Sequence, residues 1–123
     1  MPSISHDRTL SQAEFDLFAE VSGDNNPIHV DPDFSARTRF GRTVSHGMLL
    51  YTVLWGLLQK QHPGARQISH SMMFPNPAYA GEVLRFVLDE TAAGDGRRSY
   101  ATKVTRLADG AVVLDGQTEI ALP

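Results

Sequence analysis

The apolar positions of this chain follow a helical spacing in its first half and an alternating spacing in its second half. The first helical stretch runs from Ser11 to Ser22, and Ser11 and Glu14 have the spacing of a capping box. Gly23 follows directly and can take the left-handed conformation that ends many helices. The pattern predicts a helix over residues 11–22 and a structured loop over residues 23–29, where glycine, asparagine and proline oppose helix continuation.

Two further helices are predicted before the spacing changes. Asp31 and Pro32 suit an N-cap and a first helical position, which predicts a short helix to about Arg39. The segment from Ser45 to about Lys60 is the most apolar of the chain, with apolar side chains around most of a helical circumference, so we expect a buried helix. Its longest apolar run, residues 47–58, is too short to cross a bilayer, which takes about 20 residues.

Beyond His62-Pro63-Gly64 the apolar residues alternate with polar ones, which predicts β-strands. The alternating runs lie over residues 68–74, 84–88 and 112–122. The first run places four side chains on one face: Ile68, His70, Met72 and Phe74. The turn signals Gly94-Asp95-Gly96 and Asp109-Gly110 predict that the last three strands form an antiparallel meander.

A long buried helix followed by an antiparallel sheet of at least four strands predicts an α+β fold. In the hot-dog architecture, such a sheet wraps around the helix. Periodicity alone leaves open another α+β sandwich, with helices lying on one open face. We expect a single domain over residues 1–123, small enough to complete its core by oligomerising.

Composition narrows the class of protein. With 41% hydrophobic and 20% charged residues, the chain has the composition of an ordinary globular protein. Its 11 basic and 14 acidic residues give a net charge of -3, which disfavours a nucleic-acid partner. The sequence has no cysteine, which excludes disulfides and thiol nucleophiles, and its start does not resemble an export signal. We therefore predict a cytoplasmic protein without a membrane partner.

Asp24 and His29 are the first candidates for chemistry. They lie five residues apart in the predicted loop, where both side chains can reach one water molecule and act as an acid/base pair. The residues alone leave an alternative, in which Asp24 caps local backbone amides and His29 is a partly buried histidine with a structural hydrogen bond.

The start of the long helix is the second candidate site. Helix N-termini present unpaired N–H groups, and Gly47 lets a ligand carbonyl approach closely, so its amide can donate to an oxygen that gains charge in a transition state. The alternative is that Ser45 only caps the helix and that Gly47 only permits close packing. Arg37, Arg39 and Arg42 could contact phosphates, but a solvated surface is the favoured interpretation.

Three segments, taken in order, resemble the MaoC-like, R-specific enoyl-CoA hydratase family. The first is residues 21–32, with the spacing Asp-x-Asn-Pro-x-His, the second is Val44-Ser-His-Gly-Met, and the third is residues 73–82. The resemblance implies a hot-dog fold and a homodimer in which two long helices pack beneath one continuous sheet. It also implies syn addition of water to a trans-2-enoyl thioester, which gives an R-3-hydroxyacyl product, and dehydration at the same site.

The resemblance also implies roles for single residues. Asp24 and His29 match the family's catalytic pair, which holds the water that attacks the β-carbon, and Gly47 matches the glycine whose amide polarises the thioester carbonyl. Asn26 matches the signature asparagine, for which we expect loop support and substrate contact. Trp55 stands where relatives carry a small residue. We expect it either to limit the acyl group to about four to six carbons or, with equal weight, to lie in the core.

The hydratase interpretation expects a CoA thioester as substrate. No metal or other cofactor is expected, because the histidines lack a metal-ligand spacing. The nearest rival is a 3-hydroxyacyl dehydratase that acts on a carrier-protein thioester or on a specialised pathway intermediate. Two more distant rivals are a thioesterase and a non-catalytic hot-dog subunit that binds acyl thioesters. The joint presence of Asp24, His29 and Gly47 disfavours the non-catalytic subunit.

Overall fold

The computed structural model describes residues 2–123 as one antiparallel sheet packed against a long helix. The strands are β1 (Ser3–Thr9), β2 (Arg66–Met73), β3 (Val83–Gly94), β4 (Arg97–Arg106) and β5 (Val112–Ala121). The helices are α1 (Gln12–Ser22), α2 (Pro27–Val30), α3 (Pro32–Ala36) and α4 (Gly47–Gln61). The strand order is β1-β3-β4-β5-β2 with antiparallel neighbours throughout, so the predicted meander of the last three strands is confirmed.

The signals that predicted α1 are all present in the structure. The Ser11 side chain accepts a hydrogen bond from the Glu14 amide at 3.1 Å, and the Glu14 side chain accepts one from the Ser11 amide at 3.1 Å. Gly23 ends the helix with φ at 82° and donates its amide hydrogen to the Ala19 carbonyl. Phe15 is fully buried, so α1 packs onto the sheet and helix core through this side chain.

The core lies between α4 and one face of the sheet. Leu50, Leu54 and Leu58 recur along one side of α4 and are at most 2% exposed. They belong to the same buried cluster as side chains from β3, β4 and β5: Leu84, Phe86, Leu88, Val104, Leu114 and Ile120. This burial is the main source of the stability of the fold.

The prediction that α4 is buried nearly all round is wrong for a single chain. Its opposite side includes exposed Gly56 and Lys60, and Met48 in its first turn is 47% exposed. None of the helices within residues 2–123 combines the length and hydropathy needed to cross a membrane.

Two predicted boundaries also need correction. The helix that starts after Asp31 ends at Ala36 rather than near Arg39, because the chain turns there with the Thr38 amide bonded to the Ser35 carbonyl. The first alternating run does not keep one face, because the register between β2 and β5 shifts between Gln67 and Ser69. A one-residue shift reverses which side chains face the core.

The face predicted for β2 is therefore broken. Ile68 is 39% exposed, whereas Met72 packs against the core cluster. His70, also beyond the shift, stacks on Tyr51 of α4 with ring centroids 4.8 Å apart. Phe74 lies beyond the end of the strand.

β1 is an element that the sequence pattern does not predict. Its seven residues are mostly polar, and Ile4 is their only apolar side chain. The strand pairs along β3 from Ser3 opposite Asp89 to Thr9 opposite Val83, at one edge of the sheet. An edge strand with one solvated face needs few apolar residues, so its alternation is weak.

Candidate active site

The segment after α1 brings Asp24 and His29 together through a short helix. Asn26 caps α2, with its side-chain oxygen accepting a hydrogen bond from the Ile28 amide at 3.1 Å, and Pro27 takes the first helical position. The predicted loop over residues 23–29 is therefore wrong in its second half, since His29 lies on α2. An asparagine followed by a proline is common at the start of a helix and also in loops. These residues alone therefore do not distinguish a four-residue helix from a loop.

The Asp24 carboxylate and the His29 ring face each other. Asp24 Oδ2 lies 3.7 Å from His29 Nε2. The His29 Nδ1 atom lies 2.7 Å from the Val44 carbonyl oxygen, which can only accept, so Nδ1 donates and the neutral ring presents a lone pair at Nε2. The carboxylate and Nε2 are thus two acceptors, which cannot bond to each other but lie close enough to accept the two hydrogens of one shared water molecule.

The two side chains differ in their access to solvent. The Asp24 side chain is 54% exposed and the His29 side chain is 15% exposed. The backbone around His29 is tied to α1, because Gln12 Nε2 donates to the His29 carbonyl at 2.9 Å while Thr43 Oγ1 donates to Gln12 Oε1 at 2.6 Å. The imidazole is therefore held in a fixed place, and the carboxylate opens toward a neighbouring cavity.

His46 lies against both of these groups, a contact that the sequence pattern does not predict. It is 2% exposed, and its Nε2–H donates to the Asp24 carbonyl oxygen at 2.8 Å. Its ring stacks on the His29 ring with centroids 3.9 Å apart and planes at 25°. Burial lowers the pKa of His46, and so does the neighbouring His29, while the hydrogen bond to Asp24 opposes the shift. The ring is thereby favoured in its neutral form.

Gly47 opens α4 beside these residues. The N-cap of α4 is His46, whose side chain makes no capping hydrogen bond, so the first amides of the helix have no side-chain cap. A Cβ atom at Gly47 would lie 2.6 Å from the end of the Phe74 ring. Glycine at this position therefore allows the Phe74 ring to lie directly against the helix start. The interpretation of Ser45 as the cap is wrong, because its hydroxyl donates to the His46 carbonyl instead.

A cavity of about 390 Å³ opens over Asp24 and the start of α4. Its walls are formed by Asp24, Arg39, Phe40, residues 44–48, Leu50, residues 74–78 and Val113. Polar groups thus meet at one end, and apolar side chains such as Leu50, Met48 and Phe74 line the rest. Such a mixture suits a ligand with an apolar tail and a polar reacting group.

The remaining predicted residues lie in different places. The Asn26 side chain caps α2, which is the loop support expected of it. Trp55 is partly buried and packs against the hydrophobic core on α4. Arg39 reaches the cavity wall, while Arg42 forms an ion pair with Glu82 and lies over the Tyr79 ring. All three arginines are exposed, as the sequence interpretation expects, and Arg39 also lines the cavity, which no sequence signal predicts.

Asp24, His29 and His46 each offer one potential metal ligand, and these atoms lie within 4.8 Å of one another. Two of the four ring nitrogens already donate to carbonyl groups, and the two rings are stacked face to face. Imidazole binds metals along lone pairs in the ring plane, so nearly parallel stacked rings direct their lone pairs poorly toward one ion. The geometry is better suited to proton transfer than to metal binding.

The antiparallel sheet packed on α4 is the hot-dog arrangement. Its candidate site combines a carboxylate, an imidazole and a helix N-terminus without a side-chain cap. The model of the MaoC like domain matches residues 2–112, so the chain belongs to the MaoC-like domain family. The family and fold predicted from the sequence are thus confirmed.

Individual relatives are similar over most of their length. The chain is 37% identical to an (R)-specific enoyl-CoA hydratase of Aeromonas caviae, over 94% of this chain and 89% of the relative. It is 30% identical to a mitochondrial 3-hydroxyacyl-[acyl-carrier-protein] dehydratase of Arabidopsis thaliana, over 94% of this chain and 72% of the relative. The solved structure of the (R)-hydratase from A. caviae involved in PHA biosynthesis matches with a TM-score of 0.93 at 30% identity, covering 99% of this chain and 95% of that one.

Proposed function

We propose that this protein catalyses the R-specific hydration of trans-2-enoyl-CoA to R-3-hydroxyacyl-CoA and the reverse dehydration. It is then a hydro-lyase. The observation that carries the proposal is the placement of Asp24 Oδ2 and His29 Nε2, two acceptors 3.7 Å apart, beside the helix start at Gly47. The similarity to (R)-specific enoyl-CoA hydratases of Aeromonas caviae and Rhodospirillum rubrum supports the same reaction.

The proposed mechanism uses each of these groups once. Asp24 and His29 accept the two hydrogens of one water molecule, which orients its oxygen toward the β-carbon. As the C–O bond forms, one water proton leaves through the pair and is delivered to the α-carbon, and the other stays on the new hydroxyl. Both additions come from the side of the pair, so the addition is syn.

The thioester oxygen gains negative charge during this step. We propose that an amide at the start of α4 donates to it, which is supported by the absence of a side-chain cap and of intrahelical acceptors for the first amides. We assign this role to the Gly47 amide. Dehydration follows the same path in reverse, so a 3-hydroxyacyl thioester on a carrier protein, as in the name of the Arabidopsis relative, is the second substrate to test.

The experiment is to follow the loss of conjugated thioester absorbance with enoyl-CoA substrates of increasing length, with wild type and with Asp24→Asn. Asparagine keeps the size of the side chain and removes its charge. Because acid/base assistance contributes about 10²–10⁴ in rate, we expect a loss of that order in folded protein. His29→Gln should lose a comparable factor, and the double variant little more, since the two groups act as a unit.

A matched control is Asp95→Asn, which makes the same change in the exposed turn between β3 and β4. It should retain wild-type turnover. Near wild-type turnover in folded Asp24→Asn would overturn the proposed reaction, as would the absence of hydration with every enoyl-CoA and carrier-protein thioester in the panel.

We also infer that the functional unit is a homodimer in the cytoplasm. The support for the dimer is a set of exposed apolar side chains at the start of α4, on β2 and directly after it: Met48, Ile68, Met73 and Phe74, each 39% to 62% exposed. β2 is the last strand of the sheet, so a second copy can pair with its free edge. The cytoplasmic compartment is inferred from a sequence without cysteine.

A further inference from the structure

His46 contacts both members of the proposed acid/base pair without belonging to it. Its Nε2–H donates to the backbone carbonyl of Asp24 at 2.8 Å, and its ring lies face to face with the His29 ring at 3.9 Å. The ring edge of Phe18 packs against it at a centroid distance of 4.9 Å. His46 is therefore fixed on several sides while it touches two groups that must be aligned.

Local stability does not explain a histidine at this position. His46 is the N-cap of α4, where a short polar side chain would bond to the helix amides, and the imidazole makes no such bond. Within residues 2–123 its buried Nδ1 atom has no hydrogen-bond partner, which costs stability. What the side chain does provide is its bond to Asp24.

The hydrogen bond from His46 restrains the backbone of Asp24. Asp24 lies in the short connection between α1 and α2, and its side chain is 54% exposed. Its amide donates to Ser22 Oγ at 3.1 Å, and its carbonyl accepts from His46. With its backbone held on both sides, the carboxylate keeps its distance from His29 Nε2.

We propose that His46 is a positioning residue, whose hydrogen bond to the Asp24 carbonyl holds the Asp24 carboxylate in register with His29 for proton transfer. The inference rests on the proposed hydratase function. Small displacements of aligned groups cost up to about a hundredfold in rate. The loss should fall on kcat, because the bond orients reacting groups and does not itself touch the thioester.

The test compares His46→Gln with His46→Met, two variants with side chains of nearly the same length and shape. Both remove the ring that stacks on His29. The glutamine amide nitrogen reaches about as far as Nε2 and can still donate to the Asp24 carbonyl, and methionine cannot. With crotonyl-CoA we expect kcat of the glutamine variant within about threefold of wild type and kcat of the methionine variant lower by about a hundredfold, with KM similar in both.

Phe18→Leu separates positioning from packing. It removes the ring that packs against His46 and leaves the bond to Asp24 intact. We expect a lower thermal midpoint with kcat within about threefold of wild type. Thermal unfolding and circular dichroism establish the folded fraction of each variant, and rates are expressed per folded protein.

Equal kcat values for folded His46→Gln and His46→Met would overturn the proposal, whether both are high or both are low. If the methionine variant does not fold, a loss of more than about tenfold in kcat of folded His46→Gln overturns it alone. These outcomes leave the proposed function standing, because it depends on wild-type activity. A wild type that hydrates no enoyl thioester would instead remove the proposed function.

Discussion

The protonation state of His46, a buried histidine beside the site, affects the stability of the protein. Burial holds the pKa of His46 below its ordinary value of 6.5, because the charged ring would lose its hydration. In the unfolded chain the same ring takes up a proton near 6.5, so below that pH the unfolded state binds more protons than the folded state. The free energy of unfolding therefore falls as the pH drops below about 6.5.

We expect the thermal midpoint of the wild type to fall between about pH 7.5 and about pH 5.5, and to fall less in His46→Gln, which cannot be protonated. Asp24 and His29 are the titratable groups that lie against His46, and both are unchanged in the variant. Hydrogen bonds from arginine side chains hold the pKa values of the Asp7 and Asp109 carboxyls below the usual 3.8. These two groups therefore titrate outside this pH range. Equal losses in wild type and variant would show that His46 is not the group responsible.

How far single residues could be predicted from the sequence depended on local spacing. Asp24, His29 and Gly47 stand in short segments with a recognisable order, and the structure brings Asp24 and the helix start to one cavity. The contact of His46 with Asp24 spans 22 residues of chain. No periodicity or spacing encodes a contact of that kind, because it arises only when α1 and α4 pack together.

At the scale of elements, α4 both forms part of the core and provides a wall of the cavity. Met48 lines the cavity, and Trp55 lies seven residues later on the same helical face, roughly 10 Å along the axis. We propose that an acyl chain following this face extends to Trp55, which lies beyond the residues that line the cavity. Trp55 is only partly buried, so part of this residue is open to such a contact.

We therefore expect that the wild type prefers acyl groups of about four to six carbons and that Trp55→Ser shifts the preference. The variant should gain catalytic efficiency toward octenoyl-CoA relative to crotonyl-CoA, because serine frees the volume of the indole ring. Steady-state kcat/KM with the two substrates measures the shift. A less stable variant with an unchanged ratio would place Trp55 in the core only, and a wild type that prefers long unbranched chains would refute the narrow site.

The elements themselves were predictable where local signals and burial agree. The capping box and Gly23 mark the two ends of α1. The turns at Gly96 and Gly110 mark the two hairpins of the meander. β1 escapes prediction because an edge strand can be polar, and α2 because four residues carry too little periodicity. The shift in β2 cannot be derived from its own residues, because register depends on the partner strand β5.

At the scale of the whole molecule, one side carries exposed apolar side chains beside a strand edge that has no partner within residues 2–123. Met73 and Phe74 are 62% and 46% exposed next to the free edge of β2, and Met48 is 47% exposed at the start of α4. Met48 and Phe74 also line the cavity. A second copy related by a two-fold axis can pair β2 with β2, continue the sheet and cover these side chains. In the proposed dimer, the second copy would also close one side of the cavity.

The last prediction is that this protein sediments at twice its chain mass of 13.5 kDa at micromolar concentration. Ile68→Lys with Met73→Lys places two charges beside the free edge of β2, so we expect these substitutions to give a monomer with impaired turnover. The control is Leu17→Lys with Val21→Lys on α1, where the side chains are 60% and 77% exposed and lie on another element. It should remain dimeric and active. A fully active wild-type monomer would contradict the dimer and leave the exposed rim of the cavity open to solvent in the working enzyme.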